Sequence, residues 1–542
     1  MRTLTALLIA IAAFAVAPLA QAGVAAPTST GRASTDNVCH DTQIILALVG
    51  KHPGDLLAAP QDVTAESGLA TDAGRLYRIA YATTGEAGAV VASCGLVAVP
   101  ANTTTAKGVI AWAHGTIGLM QNCQPSEKPT GFVGAMPGGI GAVTPKGTQQ
   151  DGALYGMLKA GYAVTATDYP SAGLGADDMQ YYVLGVPAAM AVIDSARVLT
   201  GNAAAFGLTP VAPDAQLPFL PWGHSQGGGS ALWAGQLAKP YLAAQGDQTL
   251  NLVGVAGEAP ASQFTTSPGQ PAAYMGGHLG DRDIYNTTPG LGFPLQIGVA
   301  LFSYVTVSWS NVTKGTEGAF PVGPTQHVDF RDVLTSGGTT TAPLLAKCCL
   351  GLKDAATILK QTSEYYYPSL KRFFAEPFAG APVKGTWEGG IDSTCASPPA
   401  QPAAFGEWCK WLQFNMPGPY GVNAYPKLPR NSAGEIAPLF IAQGANDHII
   451  WCVDTTGAVQ GANCLTAQYT HSVHESYCDG GHYLNVQYYP GVGHMDIPGA
   501  AARVVGGTTY AGSQLQQFVD GAMSGTLGTR CTVDPDATSA AR

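Results

Sequence analysis

Leu217-Pro-Phe-Leu-Pro-Trp-Gly-His-Ser-Gln-Gly-Gly-Gly-Ser-Ala-Leu-Trp-Ala-Gly-Gln-Leu-Ala238 reads as a strand, a sharp turn and a helix in one stretch. The apolar run Leu217–Trp222 has strand length, and Ser230–Ala238 has the composition of a helix. Between them, Gly223-His224-Ser225-Gln226-Gly227 fits a nucleophile elbow. In that turn the serine takes strained backbone geometry, and glycines two residues to either side avoid collision with neighbouring backbone. A chain with 69 glycines in 542 residues yields this pattern by chance on the order of once, so the surrounding sequence has to decide.

Outward from the elbow, strands and helices alternate. Leu76–Tyr81 and Ala89–Val99 are rich in β-formers and predict an antiparallel entry to a sheet. Gly108–Ala113 predicts a strand, the stretch near Asp151 to Ala160 a helix, Tyr162–Thr167 a strand, and Tyr181–Leu199 a long helix leading to the elbow. Leu250–Ala256 predicts a further buried strand. The alternation implies an α/β fold with a mostly parallel, doubly wound sheet. Over residues 263–427 it breaks into aromatic and apolar clusters, such as Phe302–Trp309 and Tyr365–Phe374, among Gly/Pro loops, which predicts a large inserted cap or lid domain. Strand-like sequence resumes at Pro438–Gln443 and Tyr483–Tyr489, and an amphipathic helix is expected near Gly512 to Met523. The expected organisation is a signal peptide over 1–22, an N-terminal leader over 23–74, a first core part over 75–262, the cap, a second core part over 428–525, and a C-terminal tail over 526–542, mobile beyond about Cys531.

Composition narrows the partners. A net charge of −10 with only 11% charged residues speaks against nucleic acid, and no Lys/Arg cluster marks a membrane-binding face. Arg2, the apolar stretch Leu7–Val16 and the small-residue site Ala20-Gln21-Ala22 before Gly23 predict secretion to the periplasm or the exterior. No run reaches the roughly 20 apolar residues of a stable membrane span. Eleven cysteines in a secreted chain predict disulfides with at least one cysteine left over, and adjacent Cys348 and Cys349 are expected to pair outward because a vicinal bridge is strained. The absence of C-x-x-C pairs and of an H-E-x-x-H helix predicts no metal site.

A serine hydroxyl needs a base within reach and a carboxylate to hold that base in the right tautomer. In elbow enzymes of this type the order along the chain is Ser, Asp/Glu, His, with acid and base on loops after later strands. Asp447 follows the run ending at Gln443, and His494 follows the run ending at Tyr489 in a glycine-flanked loop. Asp454 and Asp479 are the rival acids, and His482, His474 and His471 the rival bases. His448 and His224 read as packing or turn residues. The oxyanion of an acyl-transfer intermediate needs backbone donors; Gln226, after the serine, offers one, and His114-Gly115-Thr116, directly after a strand, offers Thr116 or Gly115 as the second.

Taken together, Ala111-Trp-Ala-His-Gly-Thr116 with Cys123-Gln-Pro-Ser126, the segment from Thr167-Asp-Tyr169 to Gly173-Leu-Gly175, Gly223-His-Ser-Gln-Gly-Gly228 and the Asp447 and His494 loops resemble the secretory lipase family, which includes the yeast lipase A type and secreted bacterial members. The resemblance implies an α/β-hydrolase fold, hydrolysis of carboxylic esters without a cofactor, and the triad Ser225, Asp447 and His494. The expected substrate is an ester, of lipid or polymeric origin. A serine peptidase on the same fold and a non-catalytic secreted binding protein are the other readings, because a triad does not by itself choose between ester and amide.

Overall fold

The structure is a computed structural model that describes residues 37–41, 43–134, 140, 152–171, 178–265, 292–350, 373–376, 378, 381–383, 386–388, 391, 394–395, 397–398, 402–444, 447, 449–450, 452–453, 459–460, 464–489, 492–498 and 513–533. Among the described residues, eleven strands make one sheet. They are β1 (Gln61–Asp62), β2 (Gly74–Thr84), β3 (Val90–Pro100), β4 (Val109–Ala113), β5 (Ala163–Thr167), β6 (Leu217–His224), β7 (Leu250–Leu252), β8 (Val255–Glu258), β9 (Leu439–Gly444), β10 (Leu484–Tyr489) and β11 (Cys531–Val533). Their order is β1-β2-β3-β5-β4-β6-β8-β9-β10-β11, with β7 beside β6. The pairs β1/β2, β2/β3 and β3/β5 are antiparallel, and the other pairs are parallel.

Alternation along the strands sorts the core into two faces. Val109 and Phe219 point to the face covered by helices α2 (Gly185–Gly201) and α3 (Gln226–Ala244), among Ile193 and Leu232. Ile110, Trp112, Leu220 and Trp222 point to the other, against Leu154 and Met157 of α1 (Ala153–Ala160) and Phe518 and Val519 of α8 (Gln514–Ser524). With both faces covered, β4 and β9 are buried at every position, which is why these strands read as continuous apolar runs. After β4 the chain goes to one side, to β5; after β6 it goes to the other, to β8. Such a reversal opens a crevice at the carboxyl ends of the two strands.

Between the parallel neighbours β8 and β9 lie α4 (Gly292–Ser310), α5 (Ser336–Ala346), α6 (Ala403–Phe414) and an antiparallel ribbon of Ala381–Val383 with Thr386–Glu388. Tyr304, Trp309, Phe373, Trp408 and Trp411 of this excursion are buried in the same apolar cluster as α2 and α3, with the Trp309 and Trp408 rings stacked at 6.0 Å. The tyrosines 365–367 lie outside the described residues. Helix α7 (Cys464–Cys478) leads from β9 towards β10.

The structure departs from the sequence reading in four places. The long helix starts at Gly185 rather than Tyr181, because a start at Tyr181 would put Pro187 in the helix interior; from Gly185 it falls in the first turn, where a missing N–H is tolerated. The predicted strand Leu250–Ala256 is two strands, β7 and β8, each paired to β6. Residues 531–533, read as tail, form the edge strand β11, and Cys531 is disulfide-bonded to Cys478. Within the expected leader, β1 joins the sheet and Cys39 is bonded to Cys94. Two more disulfides, Cys123–Cys349 and Cys395–Cys409, are present among the described residues; Cys349 does pair away from Cys348. The expected signal peptide lies outside the described residues.

Candidate active site

Strand β6 ends at His224 and α3 begins at Gln226, so Ser225 sits alone at the turn. Its backbone is left-handed, with φ 59° and ψ −121°, a conformation that costs a non-glycine residue on the order of 1–3 kcal/mol. The surroundings hold it there: the Ser225 N–H donates to the Glu258 carbonyl at 2.8 Å, and its carbonyl accepts from Ala261 at 3.0 Å and Gly229 at 3.1 Å. A side chain on Gly223 would collide with the Gly227 carbonyl, and one on Gly227 with the Ala113 carbonyl. The glycines are therefore required by contact with the end of β4.

His494 Nδ1 lies 2.8 Å from Asp447 Oδ2. With the carboxylate accepting, Nδ1 carries the proton and Nε2 is left as a base. Asp447 is fully buried and well supplied with donors: the N–H groups of Ile449 and Ile450, each 2.9 Å from Oδ1, and Gln443 Nε2, 2.9 Å from Oδ2. Burial pushes the Asp447 pKa up, but the facing His494 and these bonds outweigh it and hold the carboxyl below its ordinary range. His224 ties His494 to the elbow. Its Nε2 donates to the His494 carbonyl at 2.9 Å, and the two rings lie 4.6 Å apart. Burial, with His494 adding to it, lowers the His224 pKa to about 3, so this ring is a neutral link. No direct hydrogen bond joins Ser225 Oγ to His494 among the described residues; such contacts are often long before substrate binds.

The loop after β4 runs along the elbow. A Cβ built on Gly115 would stand 3.5 Å from Ser225 Cβ and 3.3 Å from the His224 carbonyl. Among the described residues, neither the Thr116 nor the Gln226 N–H makes an intramolecular hydrogen bond. Gln226 is the first residue of α3, where an orphan N–H and the helix dipole favour negative charge. The loop is also pinned: Leu350 N–H donates to the Ile117 carbonyl at 2.8 Å, and Cys123 is bonded to Cys349. Asp168 joins the remaining motifs, accepting from the Ser126 N–H at 3.1 Å and from the Ser126 hydroxyl. Its pKa is pushed up to about 7 by burial, opposed by the bonds from Ser126.

No protein-family model and no curated protein sequence matches the chain. Solved structures do. Lipase A of Candida antarctica in its closed state superposes with a TM-score of 0.52 at 16% identity, over 92% of this chain and 89% of that one. A second structure of that lipase gives 0.51 at 17% identity, over 92% and 89%. The esterase LipA of Xanthomonas oryzae, described as degrading the rice cell wall, is matched at 0.46 and 14% identity over 82% of this chain and 94% of that one. The chain has the α/β-hydrolase fold.

Within this fold Ser225, His224, Gln226, Gly115 and Thr116 lie together at the elbow, and the Asp447–His494 pair is joined to them through the His224 bond. The rivals His474, His482 and Asp479 are engaged elsewhere. His474 lies on α7 beside Cys478, the His482 ring packs 6.3 Å from Tyr477, and Asp479 closes α7 through a backbone bond to Glu475. Asp454, His448, the His471 side chain and Gly173–Gly175 lie outside the described residues. The grouping of metal-ligand type among the described residues, His474 with Cys478 and Cys531, spends both sulfurs on a disulfide. Sequence reasoning missed Gln443, which steadies Asp447, and Glu258, whose buried carboxyl oxygens have no hydrogen-bond partner among the described residues. Burial pushes Glu258 up to about 8, with the nearby Trp222 indole opposing from outside hydrogen-bond geometry. No local pattern marks either residue; their roles come from strands that meet only in the sheet.

Proposed function

We propose that the protein is a secreted serine hydrolase of carboxylic esters, of the lipase A type. The observation that carries the reading is the Asp447–His494 pair at 2.8 Å, fastened through His224 to a serine in elbow geometry. Ser225 Oγ attacks the ester carbonyl, and His494 Nε2 takes the proton and returns it to the leaving alcohol. Asp447 keeps Nδ1–H oriented and stabilises the imidazolium. The Gln226 and Thr116 N–H groups receive the oxyanion, a contribution of about 3 to 4 kcal/mol for a donor of this kind. Water then cleaves the acyl-enzyme by the same route in reverse. No step calls for a metal or an organic cofactor.

The helices α4–α6 are proposed to form the cap over residues 263–427, with an ester of lipid or polymeric origin as substrate. Secretion is supported by the charged and apolar amino terminus and by the four disulfides among the described residues. Among the described residues no helix is long and apolar enough to cross a membrane. A fluorophosphonate probe is expected to label the wild-type protein and not Ser225→Ala; labelling that persists in the variant rules out Ser225 as nucleophile. A series of p-nitrophenyl esters of rising chain length then assigns the acyl class, an optimum at long chains marking a lipase and one at short chains an esterase. Faster cleavage of aminoacyl anilides than of esters would point instead to a peptidase.

A further inference from the structure

Gln180, Tyr182 and Val183 lie in the irregular segment before α2, and the reaction above gives none of them a part. Gln180 is buried, and its two polar atoms are used in different directions. Its side-chain oxygen accepts from Gln226 Nε2 at 3.0 Å, while its Nε2 donates to the Gly118 carbonyl at 2.7 Å. Two residues on, the buried Tyr182 hydroxyl lies 2.7 Å from Thr116 Oγ1. One short segment thus grips a side chain of each residue read as an oxyanion donor.

The same segment is fastened to α4. Ser308 Oγ accepts from the Tyr182 N–H at 2.8 Å and donates to the Gln180 carbonyl at 2.9 Å. Trp309 Nε1 donates to the Tyr182 carbonyl at 2.8 Å, and Tyr304 meets the Tyr182 ring edge-on at 5.6 Å. Val183, next in the chain, has φ 45°, a left-handed conformation rarely adopted by a β-branched residue. Strain of this kind persists only where the surroundings over-determine it, and it clusters at functional sites.

We propose that Gln180 and Tyr182 are positioning residues for the oxyanion donors, setting the placement of Thr116 and Gln226 relative to each other and making it depend on the seating of α4. The inference rests on the reading of Thr116 and Gln226 as those donors. The physical reason is geometric. Donors stabilise the transition state only when they stand about 2.7–3.1 Å from the oxyanion, and the two N–H groups lie beyond the last ladder pair of β4 and β6, Ala113 with Gly223. Side-chain bonds from a common segment supply the missing constraint.

The test is a mutant cycle in the full-length mature protein. Tyr182→Phe, Gln180→Leu and Ser308→Ala are compared with wild type for kcat and KM on a short soluble p-nitrophenyl ester, for inhibition by an alkylboronic acid, which forms a tetrahedral anion on the serine, and for Tm. Expected for Tyr182→Phe and Gln180→Leu are a loss of about tenfold in kcat, KM within about twofold, and a parallel loss of boronate affinity. Ser308→Ala should lose less in the same direction. Tyr182→Phe should cost the same in a Thr116→Ser background and nothing further in Thr116→Val, because both changes break one bond. An unchanged kcat, or an equal loss in Thr116→Val, overturns the proposal, and if Gln180→Leu does not fold the Tyr182 cycle decides alone. Wild type that reacts with fluorophosphonate at Ser225 while Tyr182→Phe keeps full kcat removes only the positioning role; wild type that fails to react at Ser225 removes the hydrolase reading itself.

Discussion

The two walls of the crevice are held by opposite means. On the elbow wall, order comes from side chains that are missing: Gly223 and Gly227 let three backbones close on one another, and the strained Ser225 is fixed by main-chain bonds to Glu258, Ala261 and Gly229. On the wall formed by the loop after β4, order comes from side chains that are present: the Cys123–Cys349 disulfide, Gln180 on the Gly118 carbonyl, and Tyr182 on Thr116. A wall built from backbone contact is local and tolerates no change. A wall built from side-chain contact depends on distant parts of the chain, and adjustments to it are graded. That difference predicts abrupt losses from substitutions on the elbow and partial losses on the opposite side.

The largest effect is expected on the elbow side. Ser225→Ala should reduce kcat on a p-nitrophenyl ester by roughly 10⁴ to 10⁶-fold with the fold intact by circular dichroism, since triad members act as a unit. Asp447→Asn should cost about 10⁴-fold, because an amide facing Nδ1 favours the wrong tautomer; a loss under tenfold would mean another acid orients His494. Gly227→Ala should either prevent folding or lower kcat by at least about a hundredfold, because its methyl meets the Ala113 carbonyl. A near-neutral Gly227→Ala would break the contrast between the walls.

The opposite wall should yield by degrees. Replacing Cys123 and Cys349 together by serine is expected to lower kcat about threefold to tenfold and stability by about 2–5 kcal/mol, measured by urea unfolding. The smallest effect is on stability alone. Glu258 titrates near 8 when folded against an ordinary 4.5, so the folded state holds a proton that the unfolded state has released between those values. Stability therefore falls as pH rises across that window, by at most about 1.4 kcal/mol per pH unit, and levels off above it. Glu258→Gln should remove that slope, so its Tm advantage over wild type should grow from pH 5 to 8; parallel Tm curves would show that Glu258 is ionised in the fold.

The contrast also explains what could be read from the chain alone. The elbow was legible because its signature, a serine with a glycine two residues to either side, lies within five residues, and the Asp447 and His494 loops because they follow apolar strands in a fixed order. The parallel strands showed themselves as short apolar runs, since both faces of the sheet are covered. What stayed hidden depends on contacts between distant segments. Gln180 and Tyr182 carry no local signature, and Tyr181 looked like the start of a helix until Pro187 set the first turn further on. The aromatic clusters of the excursion have no periodicity that tells a cap from a core, and Tyr304, Trp309, Trp408 and Trp411 are core. Cys531 read as a loose tail because a single edge strand three residues long has no periodicity to detect.

The bond from His224 to the His494 carbonyl has a mechanical meaning. Ser225 and His494 follow different strands, β6 and β10, with two others between them in the sheet. Twisting or breathing of a broad sheet would ordinarily change the spacing of such groups with every thermal fluctuation. His224, one residue from Ser225, clamps the His494 backbone to the turn, so that in the proposed mechanism the two move as a common mode and the distance that governs proton transfer is insulated from vibrations of the frame.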